Sequence, residues 1–111
     1  MDYRVVITPR AKRSLNRYIH YTKYSLKNPQ AALLIAEDAR ITKYRSSKIA
    51  DVLAICNHPV LSKYGYRKIP FRNHDFFMIY RIDGNTAIVE EMYHELQDYE
   101  SVFIKSIKSE S

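Results

Sequence analysis

Apolar and polar positions along the chain repeat with two periods, and each change of period marks a new element. Tyr3 to Thr8 alternates, with Tyr3, Val5 and Ile7 on one side and Arg4, Val6 and Thr8 on the other, which predicts a strand. Thr8-Pro9 then supplies a hydroxyl N-cap followed by proline at the first helical position. Ala11, Leu15, Tyr18 and Leu26 follow at helical spacing with Ile19 beside them, and Thr22 weakens the stripe. Asn28-Pro29 repeats the start signal, so the first helix ends before it and a second begins, giving a helix hairpin. The second helix carries a stripe of small residues at Ala32, Ile35, Ala36 and Ala39. The polar run from Lys43 to Lys48 predicts a stop or bend near Ser46-Ser47. Ile49, Val52, Leu53 and Cys56 then resume helical spacing for about two turns. His58-Pro59 predicts the end of that stretch, because a residue before proline avoids the α region, and Leu61 to Tyr64 reads as a link.

The second half changes to strand patterns. Tyr66 to Phe71 is a short run, and Phe76 to Ile82 is almost continuously apolar, as suits a central strand covered on both faces. Arg72 to Asp75 is the polar turn between them. Asp83-Gly84 marks a tight hairpin, and Thr86 to His94 returns as the partner strand. Val102, Phe103, Ile104 and Ile107 then predict a short amphipathic helix over Glu100 to Ile107, with a frayed polar end from Ser106 to Ser111. The expected architecture is one α+β domain over residues 1–111: a mostly antiparallel four-stranded sheet packed on an N-terminal helix hairpin, in the order β-α-α-β-β-β-α.

Simple alternation places Lys68, Pro70 and Arg72 on one side of their strand, and Phe77, Ile79 and Arg81 together on the next. On the last strand it groups Ile88, Glu90, Met92 and His94 against Ala87, Val89, Glu91 and Tyr93. Helices on one face would leave the other partly open, and Lys68, Arg72, Arg81 and His94 are the polar groups expected to gather there.

A chain of 111 residues is enough for a single modest core. No apolar run approaches the ~20 residues of a membrane span, and the opening MDYRVVITPRAKR reads as a strand followed by charge, not as a signal peptide. One cysteine, Cys56, excludes an internal disulfide, and no Cys/His spacing suggests zinc. These features predict a soluble cytoplasmic protein without membrane, metal or cofactor. The net charge of +6 changes the picture by favouring an anionic partner, either nucleic acid or an acidic protein. Ten tyrosines add rings able to stack on unpaired bases. The polar side of the first helix, from Arg10, Lys12 and Arg13 to Asn16 and Arg17, reads as a solvated face, with a nucleic-acid or partner surface as the alternative.

The opening RVVITPRAKRSL, the hinge KNPQAA, GYRK at Gly65 to Lys68, IYRID at Ile79 to Asp83 and HELQDY at His94 to Tyr99 together resemble the RelE/ParE superfamily of bacterial toxins. No one motif is specific; their order and spacing over nearly the whole chain carry the resemblance. It implies the toxin of a type II toxin–antitoxin pair, small, basic and plasmid-stabilising in its class, neutralised by a cognate acidic antitoxin and reaching operator DNA only through that antitoxin. RelE-like members cut messenger RNA on the ribosome without metal, whereas ParE-like members inhibit DNA gyrase without known catalysis. The first branch, an mRNA interferase, is the reading preferred on sequence. Gyrase inhibition and a lapsed toxin that only binds its antitoxin are the alternatives.

For the endoribonuclease branch the resemblance points to His94 as acid or base, Arg81, Arg72 and Lys68 as phosphate cations, and Tyr99 as the aromatic that orients a base. Each has a structural alternative: His94 as a strand cap or a partner of Asp98, Arg81 paired with Glu90 or Glu91, Tyr99 packing the last helix. Two departures count against that branch. RelE carries an arginine mid-way along the central strand where this chain has Phe77 or a neighbour, and many relatives place arginines where it has Glu95, Leu96 and Gln97. The long hairpin also suits the ParE-like branch.

Overall fold

A computed structural model describes residues 2–110, with side chains as far as Ile107. The elements are β1 (Arg4–Ile7), α1 (Pro9–His20) extended by one π-helical turn (Tyr21–Ser25), α2 (Pro29–Ile49), α3 (Pro59–Lys63), β2 (Arg67–Pro70), β3 (Phe76–Asp83), β4 (Thr86–His94) and α4 (Tyr99–Glu110).

Each of the first three helices starts with the same device. The Thr8 hydroxyl accepts from the Ala11 N–H at 3.1 Å, Asn28 Oδ1 from Ala31 at 3.0 Å, and His58 Nδ1 from Val60 at 3.2 Å, each followed by proline. His58-Pro59 therefore opens a helix, α3, where the pattern predicts only an ending and a link. An imidazole nitrogen serves as an N-cap acceptor as an oxygen does. The α2 helix also runs past the predicted break at Ser46-Ser47. Thr42 and Ser46 are buried, and their hydroxyls donate one turn back to the carbonyls of Asp38 (2.7 Å) and Thr42 (2.8 Å). Their polarity is satisfied inside the helix, so they interrupt the apolar pattern without ending the element. Residues 50–56 are turns, not the expected two-turn helix. Ile55 bridges to Arg67 along the outer edge of β2 instead. The α4 helix extends to Glu110, beyond the predicted frayed start at Ser106; Ser111 lies outside the described residues.

The sheet order is β1-β4-β3-β2. β2, β3 and β4 form the predicted antiparallel meander, but β1 pairs with β4 in parallel, Arg4 opposite Thr86 through Ile7 opposite Val89. The sheet is thus mixed, a correction to the mostly antiparallel expectation. The helices carry the chain from one edge to the other, and β1, β2 and β4 all point the same way.

β3 is covered on both faces, as its unbroken apolar run predicts. On one side Met78 and Tyr80 pack with Ala11, Ala39, Ile69, Val89 and Met92 under the α1–α2 hairpin. On the other Phe77 and Ile79 pack with Leu61, Tyr66, Tyr93 and Phe103 under α3 and α4. The face expected to stand open is therefore covered in part. The Tyr80 hydroxyl donates to the Ala50 carbonyl at 2.6 Å and ties the end of α2 to β3. Burial pushes that phenol up to about 12.

One residue changes what the sheet presents. Tyr80 pairs with Val89, but Ile79 pairs with Glu91, so Glu90 is a β-bulge. Upstream, Ala87 and Val89 face the hairpin; downstream, Met92 does, and Tyr93 turns to α4. The predicted grouping of Ile88, Glu90, Met92 and His94 breaks at the extra residue.

Candidate functional site

The five residues singled out from the sequence occupy four places. Lys68 and Tyr99 come together beneath α4. Lys68 Nζ lies 4.1 Å from the Phe77 ring centroid, 5.2 Å from that of Tyr99 and 3.5 Å from Glu95 Oε2. Tyr99 meets Phe77 edge-on at 4.9 Å, and burial pushes its phenol up to about 12, with the neighbouring Cys56 adding to the effect. Burial also pushes the Cys56 thiol up. The neighbourhood is aromatic, and Lys68 already faces a carboxylate.

Arg81 reaches Glu90 Oε1 at 3.2 Å, the structural alternative foreseen for it. It sits opposite Ile88, whereas His94 sits opposite Phe76. That separation is five residues along β3, roughly 17 Å at about 3.3 Å per residue. Arg72 is exposed in the β2–β3 turn, where its backbone N–H donates to Asp38 Oδ1 at 3.1 Å. Asp38 is buried on α2 and also accepts from the Asn73 N–H (2.9 Å) and His74 Nδ1 (2.6 Å). Burial raises this carboxyl, but the bonds from His74, Asn73 and Arg72 outweigh it and hold the group below its ordinary value. Asp38 was not foreseen. An acidic residue among Ala36, Ala39 and Thr42 on a buried stripe was the available signal.

His94 stands apart from Lys68. Its ring meets Phe76 at 90° and 5.1 Å, and Phe76 meets Tyr18 of α1 at 4.7 Å, so His94 faces the hairpin side while Lys68 and Tyr99 face α4. The bulge at Glu90 decides this. Gln97 fixes the turn that follows: its Oε1 accepts from the Tyr18 hydroxyl and from the His94 N–H, both at 2.8 Å, and its own N–H donates to the His94 carbonyl at 3.0 Å. Burial, then the charge of Glu91, raises the Tyr18 phenol, which keeps it a donor. His94 Nδ1 accepts from the Leu96 N–H at 3.1 Å. The neutral ring therefore carries its proton on Nε2, and Asp98 is not its partner; Asp98 bonds Ser101.

These residues line a groove of about 470 Å³ between α1 and the end of β4, with Arg17 and Tyr21 at its rim. A second hollow of about 560 Å³ shares Arg17 and Tyr21 and continues along α1 past Arg13, Asn16 and His20. Arg13, Arg17 and Tyr21 recur every four residues, so one helix face presents all three. Arg13 and Arg17 are both exposed, as expected of the polar side of the first helix, and Arg17 also borders the groove that α1 forms with the end of β4. Among the described residues, no three His, Cys, Asp or Glu side chains converge on a point where a metal would bind. No helix among them is long and apolar enough to cross a membrane.

A four-stranded mixed sheet with a helix hairpin on one face and a C-terminal helix on the other is the RelE/ParE-like α+β fold. Two solved structures carry that assignment. A chain of the chromosomal ParDE TA system from P. aeruginosa superposes with a TM-score of 0.66 and 20% identity, covering 83% of this chain and 95% of that one. A chain of the toxin-antitoxin complex RelBE2 from Mycobacterium tuberculosis gives 0.56 at 20% identity, covering 85% and 99%. No protein-family profile matches the sequence, and no curated protein does.

Proposed function

We propose that this chain is the toxin of a type II toxin–antitoxin pair, held in check by a small acidic antitoxin. The observation that carries this reading is the match over most of the chain to chains of two toxin–antitoxin systems. The charge of +6 supports it, since a basic surface attracts an acidic partner. Expression of this chain alone should arrest growth, and co-expression with the acidic protein encoded beside it should restore growth and yield a stable complex. Harmless expression of the folded chain would leave only the lapsed-toxin reading.

Within that class, action by binding a protein target, as ParE-like toxins bind gyrase, has more support than RNA cleavage. Metal-free cleavage needs an acid, a base and cations around one phosphate. Here His94 faces the hairpin, Lys68 and Tyr99 face α4, Arg81 is occupied by Glu90 and Arg72 lies in a turn. His94 moreover presents Nε2 already protonated, with Nδ1 occupied, which is unsuited to taking a proton from a 2′-hydroxyl. One observation favours the ribosome-dependent endonuclease as the second reading: His94 and Arg17 line the same groove. Cell-free translation with message ends mapped by primer extension, run beside a gyrase supercoiling assay, separates the two. Blocked supercoiling with intact messages, unchanged in His94→Ala, is the expected result. New message ends that vanish in His94→Ala would instead establish the endonuclease.

A further inference from the structure

The bend of the helix hairpin is apolar on its outside, and neither reading uses it. Leu33 (71% exposed) and Leu34 (62%) stand on the first turns of α2. Tyr21, Tyr24 and Leu26, each more than half exposed, stand on the π-helical turn and just after it. These five do not share one face. Adjacent helical positions lie about 100° apart, so Leu33 and Leu34 point to different sides of α2. Leu33 borders a hollow of about 230 Å³ between α1 and α2, with Ile19, Ala32 and Ala36, whereas Tyr21 and Leu26 border the groove beside β4. The apolar groups thus ring the tip of the hairpin. A collar of cations accompanies them. Arg17, Lys23 and Lys27 are exposed, and no ion pair engages any of them among the described residues. Lys23 Nζ lies 5.2 Å from the Tyr24 ring centroid. Between Asp2 and Glu37 the chain has seven lysines and arginines and no acidic residue.

We propose that this tip docks on an anionic lipid surface, with Leu26, Leu33 and Leu34 beneath the headgroups, Tyr21 and Tyr24 at headgroup level, and Arg17, Lys23 and Lys27 against lipid phosphates. Each residue type suits its level. Leucine gains by leaving water, tyrosine joins an apolar ring to a wet hydroxyl, and a lysine stem lies along apolar surface while its ammonium stays in water. A bilayer closes round a tip from every side, so side chains pointing in different directions are all covered. A helix or groove of a folded partner covers one side and leaves Leu33 or Leu26 in water. A second copy of this chain would bring the three cations against their own equivalents. Nothing here spans a bilayer; the tip lies in the headgroup layer. A search for apolar runs does not register such a tip, because Lys23, Lys27 and Asn28 interrupt it. The proposal goes beyond the toxin reading and holds whatever the toxin's target is.

The test is co-sedimentation of the purified full chain with mixed phosphatidylglycerol–phosphatidylcholine vesicles and with pure phosphatidylcholine vesicles, at several salt concentrations. The anionic vesicles should bind about tenfold more tightly or better, and less tightly as salt rises. Lys23→Gln with Lys27→Gln should weaken binding roughly thirtyfold, two cations at about 1 kcal/mol each. Lys43→Gln with Lys63→Gln removes the same charge from exposed sites elsewhere and should weaken it less than about threefold. Leu33→Ser with Leu34→Ser should weaken it about tenfold or more, whereas Val52→Ser with Leu96→Ser, at positions at least as exposed, should change it less than about twofold. The chain has no tryptophan, so Tyr24→Trp gives a single reporter. Its emission should shift to the blue on vesicles and be quenched by brominated lipid. Circular dichroism confirms that each variant folds. Binding that ignores the leucine changes would be charge adsorption alone and would overturn the proposal, as would equal affinity for neutral vesicles or an unquenched reporter. Failure to bind vesicles, with loss of the antitoxin complex in the leucine variant, would overturn it as well and give the tip to a protein.

Discussion

Replacing Asp38 should do more damage than replacing any surface charge. Its carboxylate is 2% exposed and receives three hydrogen bonds, two from backbone N–H groups of the β2–β3 turn and one from the His74 ring. Alanine would leave those donors without their acceptor in a partly buried place. Hydrogen bonds to a charged group contribute about 1.5–3 kcal/mol each, but these share one acceptor and the donors are partly wetted, so about 3 kcal/mol in total is the expected loss. For a domain near this size each kcal/mol lowers Tm by about 4–8 °C, so Asp38→Ala should melt about 12 °C or more below the parent. Asn is the sharper probe, because it keeps the shape but offers one acceptor oxygen and turns an amide N–H₂ toward N–H donors. The sign of the pH dependence follows from a carboxyl held below its ordinary value. Its contribution is complete above the unfolded value of about 3.9 and is lost as pH falls through the lower folded value. Urea unfolding followed by circular dichroism at pH 7 and again below pH 4 should therefore show a parent–Asn gap that narrows in acid. A gap under about 0.5 kcal/mol at pH 7, the ordinary range for a surface change, or one that does not change with pH, would refute the reasoning.

Other changes have expected outcomes of their own. Gln97→Ala removes the shared acceptor of Tyr18 and His94 and should cost about 1–2 kcal/mol in urea unfolding; Gln97→Glu, which restores an acceptor, should recover part of it. Asn28→Ala deletes the cap of α2 and should lower stability by about 1 kcal/mol, whereas Asn28→Ser should be nearly neutral. Lys27 has φ 52° just past the last turn of the first helix, where glycine is favoured, and the Asn28 N–H closes back on the Thr22 carbonyl at 3.1 Å. Lys27→Gly should therefore raise Tm, by the equivalent of up to about 1 kcal/mol, despite glycine's greater freedom when unfolded.

Much of the fold was legible because local chemistry and burial agree. FFMIYRI has no polar side and lies in the middle of the sheet, and Thr8-Pro9 and Asn28-Pro29 open helices where they stand. The failures came where a residue met a partner the pattern does not contain. Ser46 looked like a break because the carbonyl that receives its hydroxyl is invisible in a hydropathy pattern. His58 looked like an ending because imidazole is an uncommon cap. The candidate site suffered most. Glu90-Glu91 gives no sign of which glutamate is surplus, and that choice sends His94 to the side away from Lys68. Chemistry assigned by simple alternation was therefore spread over two faces. The groove at Arg17 became visible only once Gln97 had joined the β4 end to α1.

The parallel pairing of β1 with β4 also sets a clock. Arg4 and its partner Thr86 are separated by 82 positions along the chain. At about 5–20 residues per second, roughly 4–16 s of synthesis separate the first strand from the strand it needs. During that interval the helix hairpin can form from neighbouring residues, but Ala11 and Ala39 have no sheet to cover them. Closing so wide a loop makes the pairing a late event in folding. The newborn protein thus spends seconds with its first strand unclaimed. Any factor that limits its yield in the cell has that window in which to act, before the finished stability matters at all.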